Sequence, residues 1–264
     1  MSQPVLQVSG LSMAFGGVRA LSQVDLEVRE RQIVALIGPN GAGKTTFFNC
    51  LTGIYAPTGG DIFLSAPGKK PCRLNGLKPN TITERGVART FQNIRLFKRM
   101  TVLENVMVGR HCRAKSFIFG AIFRPPATRR EEIGIAAASY ALLEKTGLAA
   151  FANQPADSLS YGAQRKLEIA RALATEPALL LLDEPAAGMN QEESAELVDL
   201  VREIAGDGQS VLLIEHDMKL VMDLSQHIYV MDYGRKIADG PPAEIRANPA
   251  VIKAYLGEED HAAA

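Results

Sequence analysis

A chain of 264 residues has room for one large domain or two small ones and can bury a substantial core. With 47% apolar and 22% charged residues, and 29 acids against 29 bases, it carries no global field favouring nucleic acid or an anionic surface. Met1-Ser2-Gln3-Pro4 shows no leader pattern, no apolar run nears the ~20 residues that cross a bilayer, and Cys50, Cys72 and Cys112 lack metal-type spacing. The expectation is a soluble cytoplasmic protein with three free thiols, any membrane part being supplied by other chains.

Residues 5–8, 24–28 and 32–37 read as short strands, the second with alternating polarity. Between the first two, Phe15-Gly16-Gly17 is a turn carrying an aromatic. The third strand runs into Gly38-Pro39-Asn40-Gly41-Ala42-Gly43-Lys44-Thr45-Thr46 and on into a helical stretch reaching Leu51. The spacing GxxxxGK[ST] is therefore met in full between a strand and a helix. Glycines keep Cβ atoms clear of an approaching phosphate, while loop N–H groups and the positive end of the new helix face the anion. Lys44 can bring its ammonium to the β- and γ-phosphates, and the Thr45 hydroxyl can ligate Mg²⁺. A glycine-rich turn without a ligand is the plain alternative; the complete motif in this setting favours nucleotide binding.

Next come a turn at Pro57-Thr58-Gly59-Gly60, a strand over 61–64, a surface loop over 65–79, a short helix over 81–86 and a short strand over 87–91. From Gln92 to about Asp157 the pattern becomes helical. Thr101 stands in capping position with Glu104 three residues on, and 127–146 reads as a helix with Ile133, Ala136, Ala137, Tyr140 and Leu143 on one face. The α/β pattern then resumes: helix 160–173, strand 179–182, helix 191–204, strand 211–214 and a helix through Met222. Strands over 228–231 and 236–238 around Tyr233-Gly234, and short helices over 242–247 and 249–256, close the fold, with 258–264 as a frayed tail.

Four leucines at 179–182 suit a parallel strand buried on both faces, which puts Asp183 and Glu184 at its carboxyl end, where ligands gather in such sheets. Asp183 is placed to hold Mg²⁺, and Glu184 to take a proton from a water attacking the γ-phosphate. In Leu159-Ser160-Tyr161-Gly162-Ala163-Gln164-Arg165, Ser160 can cap the helix and Gly162 can let a phosphate reach the first-turn N–H groups. Leu167, Ala170 and Leu173 supply the packing face, with Arg165, Glu168 and Arg171 as an exposed charged row. By itself an ordinary amphipathic helix would read the same way.

Placed shortly before the leucine strand and its acid pair, that helix resembles the signature motif of the ATP-binding cassette (ABC) ATPases. Other motifs of the family appear in order. Gln92 in Arg89-Thr90-Phe91-Gln92-Asn93 is similar to the glutamine that meets the metal and the attacking water. His216 in Ile214-Glu215-His216-Asp217 is similar to the switch histidine at the γ-phosphate, Phe15 to the aromatic on adenine, and 186–190 to the loop that touches the partner subunit. Two positions depart: Ala163 stands where a glutamine is common, and Asn190 replaces the usual aspartate.

With Arg95-Leu96-Phe97, Met100-Thr101-Val102, Ala186-Ala187-Gly188 and the ending Ala254-Tyr255-Leu256-Gly257, the resemblance spans nearly the whole chain. It looks like the longer ATPase subunit of bacterial branched-chain amino-acid importers. The resemblance implies a P-loop ATPase core with a mostly parallel sheet, an N-terminal antiparallel β part and an inserted helical subdomain. The expected boundaries are a single domain over 1–257, with the core at 1–91 and 158–257 and the helical subdomain at 92–157. It further implies ATP and Mg²⁺ as ligands and ATP hydrolysis driving import of leucine, isoleucine or valine. Two ATPase subunits, a homodimer or a paralogue heterodimer, would sandwich ATP between the 38–46 loop of one and the 160–162 turn of the other. Two permease subunits and, indirectly, a periplasmic binding protein complete the system at the cytoplasmic face of the inner membrane, with no nucleic acid. Relatives serving amides or urea are the nearest alternative; a soluble ABC protein acting on ribosomes or nucleic acid, or a passive nucleotide switch, lies further off.

One block is read from its own chemistry. Arg110, Arg113, Lys115, Arg124, Arg129 and Arg130 precede the first acid, Glu131, and enclose the aromatic run 116–123. It is either a packed segment flanked by solvated bases or a face toward the permease and lipid headgroups, where each base would add ~1 kcal/mol.

Overall fold

The computed structural model describes residues 4–113 and 126–262. Two sheets organise it. The first is antiparallel, in the order β2-β1-β4-β5, built from β1 (Pro4–Phe15), β2 (Val18–Arg29), β4 (Gly59–Leu64) and the short β5 (Cys72–Arg73). The second runs β10-β9-β3-β8-β7-β6, from β3 (Ile33–Ile37), β6 (Val87–Arg89), β7 (Leu179–Asp183), β8 (Ser210–Ile214), β9 (His227–Asp232) and β10 (Arg235–Gly240). All its pairings are parallel except β9 with β10. Helices α1 (Lys44–Leu51), α2 (Pro79–Arg85), α3 (Val102–Arg110), α4 (Pro126–Lys145), α5 (Tyr161–Leu173), α6 (Gln191–Gly206), α7 (Met218–Leu224), α8 (Pro242–Ala247) and α9 (Pro249–Ala262) connect and cover the strands.

Every residue of β3, β7 and β8 is buried, as four successive leucines demand. The alternation of side chains divides them between two cores. Val34, Leu36, Leu179, Leu181, Leu212 and Ile214 face the antiparallel sheet together with Phe47 and Phe48 of α1. Ile33, Ala35, Ile37, Leu180, Leu182, Val211 and Leu213 face α5 to α8 on the other side. At 1.5–3 kcal/mol for each buried large apolar side chain, roughly, these two layers dominate the stabilisation. A third core joins Val102, Val106, Leu143 and Leu148 of the helical insert to Leu167, Ala170 and Ala174. Since α5 also gives Ile169, Ala172 and Leu173 to the second core, one helix is shared between insert and sheet.

Several sequence expectations are corrected. The first two strands run to 12 residues each, because register shifts break the polarity alternation that would have revealed their full length. The surface loop over 65–79 contains β5 and ends with Pro79 at the first position of α2. The buried stripe of α4 passes through Ser139 and Leu143, whereas Ile133 and Tyr140 are exposed, so the true face is rotated from the expected one. Helix α9 runs to Ala262, past the expected helix end at 256. Arg165 and Glu168 are buried rather than forming an exposed row with Arg171.

The basic block also reads differently. Arg113 donates to the carbonyls of Thr175, Glu84 and Glu176, and Arg110 pairs with Glu176, so these two bases tie the insert to the core rather than facing headgroups. The run 116–123, with Lys115 and Arg124, lies outside the described residues. Among the described residues, no helix is long and apolar enough to cross a membrane.

Candidate active site

The phosphate loop follows β3 directly. A Cβ on Gly38 would stand 2.1 Å from the Met231 carbonyl oxygen, and one on Gly43 would stand 2.8 Å from that of Ala20. Both glycines adopt positive φ, so sterics and backbone conformation agree on the residue type. Gly43 caps α1 with no side-chain hydrogen bond and no acid in the first turn, which leaves the helix N-terminus suited to an anion. Lys44 is buried and lies along the loop, its Nζ donating to the carbonyls of Gly38 and, at 2.8 Å, Pro39. Thr45 is exposed beside it. Phe15, at the end of β1, is 43% exposed and meets Tyr55 edge-on at 5.1 Å, so one face is available for stacking.

Three neighbouring strands of the parallel sheet, β8, β7 and β6, lead to His216, Glu184 and Gln92. Their side chains meet. Gln92 Nε2 donates to Glu184 Oε2 at 2.7 Å, and His216 Nε2 lies 2.5 Å from Glu184 Oε1. Both oxygens of Glu184 are thus engaged. Its backbone sits at φ 47, a left-handed conformation costing a non-glycine residue roughly 1–3 kcal/mol, and its N–H donates to the Ile214 carbonyl at 2.9 Å.

Asp183, one residue earlier, is buried, and its Oδ2 accepts from Arg89 Nη2 at 2.6 Å. Gln92 donates through its amide nitrogen to Glu184, so its oxygen remains a hard donor alongside the Thr45 hydroxyl and the Asp183 carboxylate. Among the described residues no group of three or more His, Cys, Asp and Glu forms a complete metal cage. Oxygen donors without a cage suit Mg²⁺, which takes one or two protein groups and completes its shell from phosphates and water.

Ser160 caps α5, its Oγ accepting from Ala163 N at 3.3 Å. Gly162 lies beneath Glu193: a Cβ there would be 2.7 Å from Glu193 Oε1. Tyr161 donates its hydroxyl to the Ala187 carbonyl at 3.0 Å, joining this turn to 186–190. Asn190 works as a helix cap, exchanging hydrogen bonds with Glu193 in a capping box. The departure from aspartate therefore keeps a polar acceptor in place.

Sequence reasoning missed four residues that hold this constellation. Glu215 accepts from the backbone N–H groups of Ala186 and His216 at 2.8 and 3.1 Å, fixing the loops after both strands. Burial pushes its carboxyl above the ordinary range, opposed by those backbone hydrogen bonds. Arg165 donates to the carbonyls of Phe91 and Gln92 at 2.6 and 2.8 Å and to Glu168 at 2.9 Å. Glu168 in turn accepts from the N–H groups of Phe91 and Arg95, and burial raises its pKa, an effect that Arg165 opposes only in part. Arg89 is the fourth. Only Arg89 is a charged residue inside an otherwise apolar strand; Arg165 and Glu168 stand on α5, and Glu215 follows β8.

A phosphate loop on a parallel sheet, facing a glutamate engaged by a glutamine and a histidine, defines a nucleotide triphosphatase of the P-loop class. The family model described as ABC transporter matches residues 21–187, and that described as branched-chain amino acid ATP-binding cassette transporter matches 235–261. The chain is 52% identical to the high-affinity branched-chain amino acid transport ATP-binding protein LivG of Salmonella typhimurium, over 98% of this chain and 100% of that one. It is 51% identical, over the same shares, to the corresponding protein BraF of Pseudomonas aeruginosa. Among solved structures, the ADP conformation of an ATP-binding cassette of an ABC transporter is similar, with TM-score 0.83, 30% identity and coverage of 97% and 100%. A nucleotide-free cassette follows at TM-score 0.81, 29% identity and coverage of 96% and 99%. The chain belongs to the ATP-binding cassette (ABC) transporter family, as an ATP-hydrolysing subunit.

Proposed function

We propose that this subunit powers import of branched-chain amino acids through a membrane permease, docked at the cytoplasmic face of the inner membrane. The observation that carries the reading is end-to-end identity of about half with relatives named for that transport, together with the match at 235–261. The reading treats 1–257 as one ATPase domain, with 92–157 as its helical subdomain.

In this reading Lys44 leaves the loop carbonyls to meet the β- and γ-phosphates, which also accept from the N–H groups of the 38–46 loop, Pro39 excepted. Thr45, Asp183 and Gln92 would hold Mg²⁺, which when bound neutralises charge on the phosphates. Glu184 takes a proton from the attacking water, a role worth roughly 10²–10⁴ in rate. His216 orients toward the γ-phosphate, and Phe15 stacks on adenine. Gln92 and His216 each contact one oxygen of Glu184, which holds the carboxylate in place and leaves further lone pairs to receive the proton. Ser160 and Gly162 would complete the site of a second ATPase subunit, identical or paralogous, above two permease subunits served by a periplasmic binding protein.

The test is uptake by vesicles containing this chain with its cognate ATPase partner, permease and binding protein. Labelled leucine should accumulate in an ATP-dependent manner and be displaced by isoleucine and valine. Displacement by amides or urea instead would reassign the solute while leaving the ATPase reading in place.

A further inference from the structure

We propose that Arg89 is a positioning residue for hydrolysis: a cross-brace that sets α1, the helix behind the phosphate loop, against the acid pair at the end of β7. Arg89 is the last residue of β6. Its Nη2 donates to Asp183 Oδ2 at 2.6 Å, while Nη1 donates to Asn49 Oδ1 at 2.7 Å and Thr52 Oγ1 at 3.3 Å. The side chains of Arg89 and Asp183 are each 7% exposed. The rings of Phe48 and Phe91 lie 5.5 and 5.3 Å from the guanidinium carbon.

Stability alone does not account for such a residue. A buried ion pair costs about as much in desolvation as it returns in attraction, and well-packed apolar residues often serve as well. What the guanidinium supplies is direction, through a rigid planar fork whose arms reach two different elements. One arm ends on the acid next to Glu184. The other ends on Asn49 within α1 and Thr52 just past it, the same helix that begins with Lys44. Three residues beyond Arg89, Gln92 holds Glu184 itself. The stretch 89–92 therefore reaches both acids, and through Arg89 it also fixes their place relative to the residues that bind phosphate. Lysine keeps the charge but offers a compact ammonium on a flexible stem, without the rigid planar fork that spans Asp183 and Asn49.

The inference rests on the hydrolytic reading given above, and the experiment separates the two. Turnover at saturating Mg-ATP, affinity for a fluorescent ATP analogue and thermal midpoint are measured for Arg89→Lys, Asn49→Leu and Glu184→Gln. Small misplacements at a reacting centre cost up to ~10²-fold, so Arg89→Lys should lose about ten- to a hundredfold in kcat. Its affinity for the analogue should stay within about threefold, the split expected when an interaction serves the transition state rather than binding. Asn49→Leu leaves the ion pair intact and should lose kcat several-fold in the same pattern; it decides the matter if Arg89→Lys fails to fold. Unchanged kcat in both variants overturns the proposal. So does a parallel fall of kcat, affinity and midpoint, which a merely structural role would give. Normal turnover in Glu184→Gln would instead refute the hydrolytic site, whereas an inactive Glu184→Gln beside normal Arg89→Lys and Asn49→Leu refutes this inference alone.

Discussion

In the proposed mechanism Glu184 concentrates the chemistry, since three strands deliver it two partners and a strained backbone. Replacing it with glutamine keeps shape and most hydrogen bonding but removes the proton acceptor. Glu184→Gln should bind ATP normally, lose about 10²–10⁴ in turnover and lengthen the lifetime of the ATP-bound dimer, as read by size-exclusion chromatography and phosphate release. Near-normal turnover would place the base elsewhere. The residues legible in the sequence here, 38–46, Asp183, Glu184 and His216, are those whose chemistry requires fixed types at fixed spacing. Arg89, Arg165, Glu168 and Glu215 were not legible, because each acts through partners far away in the chain. Arg165 reaches Gln92 across 73 positions, a relation that no local pattern encodes.

At the scale of elements, α5 is the crossing point of the molecule. Its apolar residues divide between two cores, and Arg165 and Glu168 grip the backbone of 91–95 from within. Arg165→Met would leave the buried Glu168 carboxylate with only the more distant Arg171, at 3.8 Å, and two backbone N–H groups, at a cost of up to about 3–5 kcal/mol. Adding Glu168→Gln should restore a large part of that loss in denaturant unfolding. If the single variant shifts stability by less than about 1 kcal/mol, the pair is not an anchor. Helix caps were readable beforehand: Thr101 with Glu104 forms the expected capping box, which holds the Glu104 carboxyl below its usual range through the Thr101 N–H. The face of α4 was misread because its apolar residues stand on more than one side, so that Ile133 and Tyr140 suggested a stripe the packing does not use.

For the whole molecule, two carboxyls that burial raises, Glu168 and Glu215, give stability a definite pH sign. A carboxyl whose folded pKa exceeds its unfolded value binds more protons when folded, so its contribution is full at low pH. That contribution is lost as pH rises from about the ordinary 4.5 through the raised folded value. Glu215→Gln removes one such group. The stability of this variant relative to the wild type should therefore climb with pH across that window and then level off; a difference flat from pH 4 to 8 in urea unfolding would contradict it. The overall architecture was legible because strand periodicity and the phosphate loop are local signals. The strand order was not, since β3 lies between β8 and β9, which follow it by well over a hundred residues.

The doubly engaged glutamate has a consequence for the molecule as a whole. In the proposed mechanism the proton acceptor is held at both of its oxygens, so its aim is set by its two partners rather than by its own freedom. The same two contacts that hold it also make it answerable. Gln92 follows β6, whereas His216 follows β8, so news from two different parts of the molecule converges on one carboxylate. A displacement on either side would re-aim the same carboxylate.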